Sequence, residues 1–163
     1  MFYFAYGSNM SIARLRARVP GASRVAMAVL AGHDLRFHKR GRDGSGKCDA
    51  FHTAKACDRV VGSVFEIDPL ETPALHRAEG LGSGYEQKQV CVLGPAGEQW
   101  SAFTYYATAI DATLCPYSWY LHHVLVGATE SGCPADYVDR IAAVDCIDDE
   151  DLARDAAERA LHS

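Results

Sequence analysis

The chain has 163 residues, with 16 Lys+Arg against 21 Asp+Glu. Its 48% hydrophobic and 23% charged residues fit one globular domain with its own core and exclude a disordered or coiled-coil chain. The net charge of −5 excludes a globally basic nucleic-acid binder, and no apolar run approaches the ~18 residues of a membrane span.

The charge is unevenly placed. Residues 145–163 hold seven acids and two arginines, so this segment alone carries the whole −5. Within the neutral remainder, residues 1–59 are +7 and residues 60–144 are −7. Two readings follow: the halves pack and offset each other, or the basic half attracts an anionic ligand. The six cysteines (Cys48, Cys57, Cys91, Cys115, Cys133, Cys146) form no C-x-x-C pair. The first residues, Met1 to Gly7, have no basic segment followed by an apolar one, so no secretion signal is read there. Free thiols in a reducing cytoplasm are therefore expected. Neither these cysteines nor the seven histidines show zinc spacing, and no metal site is predicted.

In chain order, Phe2 to Tyr6 reads as a buried strand ending at Gly7-Ser8-Asn9. A helix follows over 11–18, with Ser8, Asn9 or Ser11 as its cap and Pro20-Gly21 as its stop. Two apolar stretches, Val25–Leu30 and Leu35–Phe37, are broken at Gly32-His33-Asp34. Residues 39–49 read as a basic, Gly-rich loop, and Val60 to Ile67 as a strand. Asp68-Pro69-Leu70-Glu71 is a helix start with Asp as cap, Pro at the first position and Glu at the third. That helix runs to about Ala78, and Gly80, Gly82 and Gly84 follow in a loop. Tyr85–Leu93 and Trp100–Ala107 form a hairpin around Gly94-Pro95-Ala96-Gly97. Helices are expected over 117–130 and 135–144, and a short acidic one over 149–161 behind an Asp148 cap. The class is mixed α+β, since irregularly spaced strands with a hairpin do not make a doubly wound sheet.

Four features could carry chemistry. The turn Tyr6-Gly7-Ser8-Asn9 joins a strand to a helix and exposes backbone N–H groups suited to an anion, or is simply a tight turn with its own cap. Glu79 falls at the carboxyl end of a helix, against the macrodipole, where a shielded carboxylate would have a raised pKa and could act as a base on an amine. A solvated surface glutamate is the plainer reading. Eight tyrosines supply hydroxyls that can orient a polar ligand in an apolar pocket, or else pack in the core. A Cys–His nucleophile pair has nothing to locate it.

Tyr3-Phe4-Ala5-Tyr6-Gly7-Ser8-Asn9-Met10 resembles the signature of the γ-glutamylcyclotransferase family in the wider AIG2-like group. Leu75-His76-Arg77-Ala78-Glu79-Gly80 resembles the family's segment around its catalytic glutamate. Tyr120, Val126-Gly127-Ala128, Glu130-Ser131-Gly132, Pro134 and Tyr137 resemble its C-terminal helices. The resemblance implies a small mixed β-barrel-like sheet flanked by helices; residues 1–148 are then read as the catalytic domain, and 149–163, which the resemblance does not cover, as an acidic tail able to form a helix. It implies conversion of γ-glutamyl amino acids or peptides to 5-oxoproline and a free amine, with no cofactor. The partner is then a small-molecule γ-glutamyl substrate, without nucleic acid or membrane, and a homodimer is left open. By position, Glu79 matches the catalytic acid/base, Tyr3, Tyr6, Gly7, Ser8 and Asn9 the loop that cradles the substrate, and Tyr120 and Tyr105 pocket tyrosines. The chain departs from the pattern in a Gly-rich loop about one residue shorter before Tyr85, which is not assigned, and in residues 39–59 and the acidic tail. Alternatives are a γ-glutamylamine- or glutathione-specific cyclotransferase, a non-catalytic γ-glutamyl-binding protein, and a thiol-dependent hydrolase.

Overall fold

The structure is a computed structural model and describes residues 1–162. Seven strands and five helices succeed one another: β1 (Phe2–Ala5), α1 (Ile12–Arg16), β2 (Ser23–Ala31), β3 (His33–Arg40), β4 (Gly46–His52), β5 (Arg59–Glu66), α2 (Thr72–Glu79), β6 (Tyr85–Leu93), β7 (Gln99–Ala107), α3 (Ser118–Glu130), α4 (Ala135–Ala142) and α5 (Leu152–Arg159). Short 3-10 turns cover Ser8–Met10, Pro69–Glu71 and Ala160–His162.

Five strands close a barrel in the order β1-β5-β2-β6-β7, and β3 and β4 form a separate two-stranded ladder. All named strand pairs are antiparallel except β1 with β7, which run parallel with Tyr3 opposite Phe103. This closure matches the expected α+β class with a barrel-like sheet and flanking helices. The core is aromatic and β-branched: Phe4, Phe65, Phe103, Val60 and Val64 are fully or almost fully buried. Each such side chain contributes roughly 1.5–3 kcal/mol relative to exposure.

Most elements lie where the sequence pattern puts them, and three local readings are corrected. Residues 39–49 are not one loop, because Lys39-Arg40 end β3 and Gly46 to Asp49 begin β4, leaving only 41–45 as the turn. The basic composition there hides a ladder in which Arg36 pairs across from Asp49 and Lys39 from Lys47. At the start of α2, Asp68 accepts a hydrogen bond from Leu70 N at 2.8 Å, as a cap should. Glu71 does not turn back to complete a capping box; it accepts from Gly21 N and ties the end of the first helical segment to the second. Finally, α5 is capped by Asp151, whose carboxylate accepts from Arg154 N, whereas Asp148 accepts from Ser118 Oγ.

The two charge halves do pack against each other. Arg18–Glu79, Arg24–Glu130, Arg40–Asp111 and Arg59–Asp136 all join a base before residue 60 to an acid after it. The C-terminal segment is docked as well: Asp149 is buried and accepts from Trp119 Nε1 at 2.8 Å and from Arg154. Glu158 pairs with Arg14 and lies 2.9 Å from His123 Nε2. No helix among the described residues is long and apolar enough to cross a membrane.

Candidate active site

Three elements converge at one end of the barrel. Beyond β1, the backbone turns through Gly7 into the 3-10 turn Ser8–Met10, with Met10 N donating to Gly7 O at 2.9 Å. Gly7 is required by close approach, since a Cβ there would lie 2.9 Å from Cys48 Cβ and 3.5 Å from the Tyr120 hydroxyl. Ser11 caps α1 by accepting from Arg14 N, so of the three candidate caps it is Ser11 that serves. Glu79 is the last residue of α2. Gly80 ends the helix in the left-handed region at φ 73°, with the N–H groups of Gly80 and Leu81 both returning to His76 O. The apolar stripe of α3, containing Trp119, Tyr120, Val124 and Ala128, packs onto the Ser8–Met10 turn and delivers Tyr120 to the same place.

The resulting pocket is lined by Tyr3, Tyr6, Gly7, Ser8, Asn9, Glu79, Tyr105 and Tyr120, together with Cys48 and Tyr85. Every site residue expected from the sequence is thus brought to one cavity. Within it, Glu79 Oε1 accepts from Arg18 Nη1 at 2.7 Å and from Asn9 Nδ2 at 2.8 Å. Arg18 also donates to Asn9 Oδ1 at 2.8 Å, which closes a three-membered network. Both donors converge on the same carboxylate oxygen and fix its orientation at the end of α2. Glu79 Oε2 has no hydrogen-bond partner among the described residues.

The tyrosines divide by what their hydroxyls already do. Tyr6 donates to Tyr105 O at 2.6 Å, and Tyr85 donates to Cys48 O. Tyr105 shares a 2.7 Å hydrogen bond with His76 Nδ1. Tyr3 and Tyr120 are acceptors instead, from Asn9 Nδ2 at 3.1 Å and from Cys48 N at 3.0 Å, with the Cys48 thiol also beside the Tyr120 hydroxyl, so neither O–H donates to an oxygen or nitrogen among the described residues. Burial pushes all five hydroxyls above the ordinary tyrosine range, with the Glu79 charge adding to the effect at Tyr3, Tyr85, Tyr105 and Tyr120. They are neutral donors rather than phenolates. Burial also pushes the Cys48 thiol up to about 12, the opposite of what a thiolate nucleophile needs.

Arg18, Cys48, His76 and Tyr85 are the participants that no local pattern marks. Arg18 sits just beyond α1, Cys48 lies in a stretch whose composition reads as a loop, and Tyr85 follows the shortened glycine loop. Cys48 and Tyr85 line the pocket, whereas Arg18 and His76 act from behind it, bonded to Glu79 and Tyr105, and these contacts join residues distant in sequence.

Residues 59–141 match the model of the AIG2-like family. The chain is 28% identical over 150 residues to γ-glutamylcyclotransferase of Homo sapiens, covering 88% of this chain and 78% of that protein. The bovine protein of the same name is 27% identical over the same coverage. A solved γ-glutamyl cyclotransferase superposes with a TM-score of 0.86 at 25% identity over 98% of both chains. A crystal structure of an uncharacterised protein from Homo sapiens does so with 0.82 at 26% identity, covering 94% of this chain and 95% of that one. The matched segment contains β5, Glu79, the β6–β7 hairpin and Tyr120, and the superposition takes in the rest of the barrel. The chain belongs to the AIG2-like family and has the fold of the γ-glutamyl cyclotransferases.

Proposed function

We propose that the protein is a γ-glutamylcyclotransferase, releasing 5-oxoproline and a free amine from γ-glutamyl amino acids or peptides, with Glu79 as general acid/base. The observation that carries this reading is the convergence of Glu79 with the Tyr3–Asn9 segment, Tyr105 and Tyr120 in one cavity, with one carboxylate oxygen unengaged. The names of the similar proteins support the same chemistry.

A γ-glutamyl group carries its own nucleophile. Its α-amine attacks the γ-carbonyl carbon, a C–N bond closes the five-membered lactam, and the C–N bond to the leaving nitrogen breaks. Glu79 Oε2 takes the proton from the attacking amine and returns it to the leaving nitrogen, so no proton is gained or lost overall. The reaction is intramolecular, and holding the bent conformer is a large part of the task. The N–H groups of Gly7, Ser8 and Asn9 cradle the α-carboxylate, and the hydroxyls of Tyr3 and Tyr120 orient the glutamyl group. Tyr6 shapes the wall and holds Tyr105. The raised thiol pKa of buried Cys48 weighs against a thiol-dependent hydrolase, and the six free cysteines support the reducing, cytoplasmic setting proposed for the chain. Incubation of the purified protein with γ-Glu-Ala, ε-(γ-Glu)-Lys and glutathione, assayed for 5-oxoproline, tests the reading. Release from at least one is expected, and release from none would refute it.

A further inference from the structure

The Glu79 pocket continues into a wider annex, and Ser8, Glu79, Tyr85 and Tyr120 line both. Six cations face the annex: Arg14, Arg18, Lys39, Arg42, Lys47 and Arg154. Four are matched, by Glu158, Glu79, Asp43 and Asp149 respectively. Lys39 and Arg42 have no such partner among the described residues. They flank the glycine loop that follows Glu79. The Arg42 guanidinium lies against Gly80, where the carboxyl end of α2 favours a cation. The Lys39 ammonium lies against Gly84 and 4.5 Å from the centre of the Tyr85 ring.

Lys39 is the anomaly. The residue is only 5% exposed, its ammonium lines the annex, and that ammonium makes no hydrogen bond and no ion pair among the described residues. An ammonium partly stripped of solvent and facing a cavity without a direct counter-ion is set to receive an anion that enters it. Burial lowers its pKa, while the charge of Glu79 across the cavity acts the other way. Inside the protein the ammonium has the face of Tyr85 beside it and the charges of Glu79 and Asp43 at longer range, each weaker than a carboxylate in direct contact.

The annex opens beside Glu79, where the reaction proposed above must expel its leaving nitrogen. We propose that the annex receives the leaving group and that Lys39 binds a carboxylate on it. The chain then selects γ-glutamyl amino acids and peptides over γ-glutamyl derivatives of uncharged amines. This assignment rests on the cyclotransferase reading and deepens it. It gives Lys39 a specificity role, and Arg42, at the rim, favours leaving groups with a second negative charge.

The decisive comparison uses γ-Glu-Ala and γ-Glu-alaninamide, which differ only in carboxylate against carboxamide. For the wild-type protein, kcat/KM should favour γ-Glu-Ala by about 10-fold or more, the scale of one desolvated charge-assisted hydrogen bond. Lys39→Met, which keeps the stem against Tyr85, should collapse that ratio, and Lys39→Arg should retain most of it. A wild-type ratio near one, or a ratio that survives Lys39→Met, overturns the proposal. Should Lys39→Met fail to fold, the wild-type ratio and its loss at high salt decide the matter. Calorimetric titration of Glu79→Gln with the two compounds separates the readings. Preferential binding of γ-Glu-Ala without turnover by the wild type would refute the cyclotransferase and keep the annex, whereas turnover of both compounds without preference would do the reverse.

Discussion

Arg18 Nη1 reaches Glu79 Oε1 at 2.7 Å and Asn9 Oδ1 at 2.8 Å, so one guanidinium nitrogen joins the end of α2 to the turn after β1. Asn9 completes the connection by donating to the same carboxylate oxygen. The carboxylate is held by one oxygen and open at the other, which is the arrangement a positioned base requires. Because Arg18 does not line the tyrosine pocket, its action passes through Glu79 and Asn9. Arg18→Met is expected to lower kcat by about 10-fold or more, with a smaller change in KM, and Arg18→Lys to recover part of the loss. Steady-state kinetics on one γ-glutamyl dipeptide measure the split, and an effect confined to KM would deny the positioning role.

Glu79→Gln preserves the Oε1 acceptor for Asn9 and Arg18 and replaces the open oxygen with an amide. The fold should persist, with an unchanged far-ultraviolet spectrum, while turnover falls by roughly 10²–10⁴-fold. Retention of more than about a tenth of wild-type turnover would remove Glu79 from the proton-transfer step.

Tyr6 and Tyr120 line the same pocket yet should respond differently. Tyr6→Phe leaves the buried Tyr105 carbonyl without its donor and should cost ~1–3 kcal/mol of stability, with kcat/KM falling less than in the Tyr120 variant. Tyr120→Phe leaves buried Cys48 N without its acceptor, so it should also cost stability, but it removes in addition the hydroxyl that faces the ligand and should lower kcat/KM by about 10-fold. Kinetics on the pair decide between these roles, with urea denaturation to show that both variants are folded under assay, and a larger kinetic loss in the Tyr6 variant would exchange them.

The exposed thiols Cys57, Cys91 and Cys146 should alkylate readily, and buried Cys48 should not. Mass spectrometry after iodoacetamide treatment at pH 7.5 is expected to show those three modified and activity retained. Loss of activity in step with modification of Cys48 would restore the thiol mechanism.

The docking of the C-terminal segment gives stability a pH dependence. Burial lowers the His123 pKa from its ordinary value to about 4, and the side chain is fully buried. The unfolded chain therefore binds this proton first as pH falls, so the stabilisation present above about pH 6.5 is lost between there and pH 4. Hydrogen bonding to His123 and the charge of Arg14 lower Glu158 to about 2, so its contribution, present above its unfolded value of 4.5, is lost between that value and pH 2. The Tm should fall in both windows, and His123→Gln should flatten the first. A Tm that is flat from pH 6.5 to 4 in the wild type would contradict this account.

How much of this was legible follows from the range of each signal. The Phe2–Ala5 strand, the Asp68 cap, the Gly80 stop and the β6–β7 hairpin are written in contiguous residues, because period, capping and positive φ are local constraints. The 39–49 segment misleads for the same reason. Glycine and lysine read as loop, while the cross-strand partners that hold Lys39 and Asp49 in β3 and β4 are invisible to a local window.

The sequence by itself determined the elements, the class, the family and the residue types available for the chemistry, including Glu79 and the Tyr3–Asn9 segment. Tertiary structure alone decided which oxygen of Glu79 is open, which tyrosine hydroxyls already donate, and that Lys39 faces the annex without a direct ion pair among the described residues. It also decided that the acidic C-terminal segment, which carries the whole net charge, brings Glu158 and Arg154 to the annex beside the pocket. Local preference acts over a few residues of chain, whereas hydrogen bonding and desolvation depend on distances between groups that only barrel closure and helix docking create.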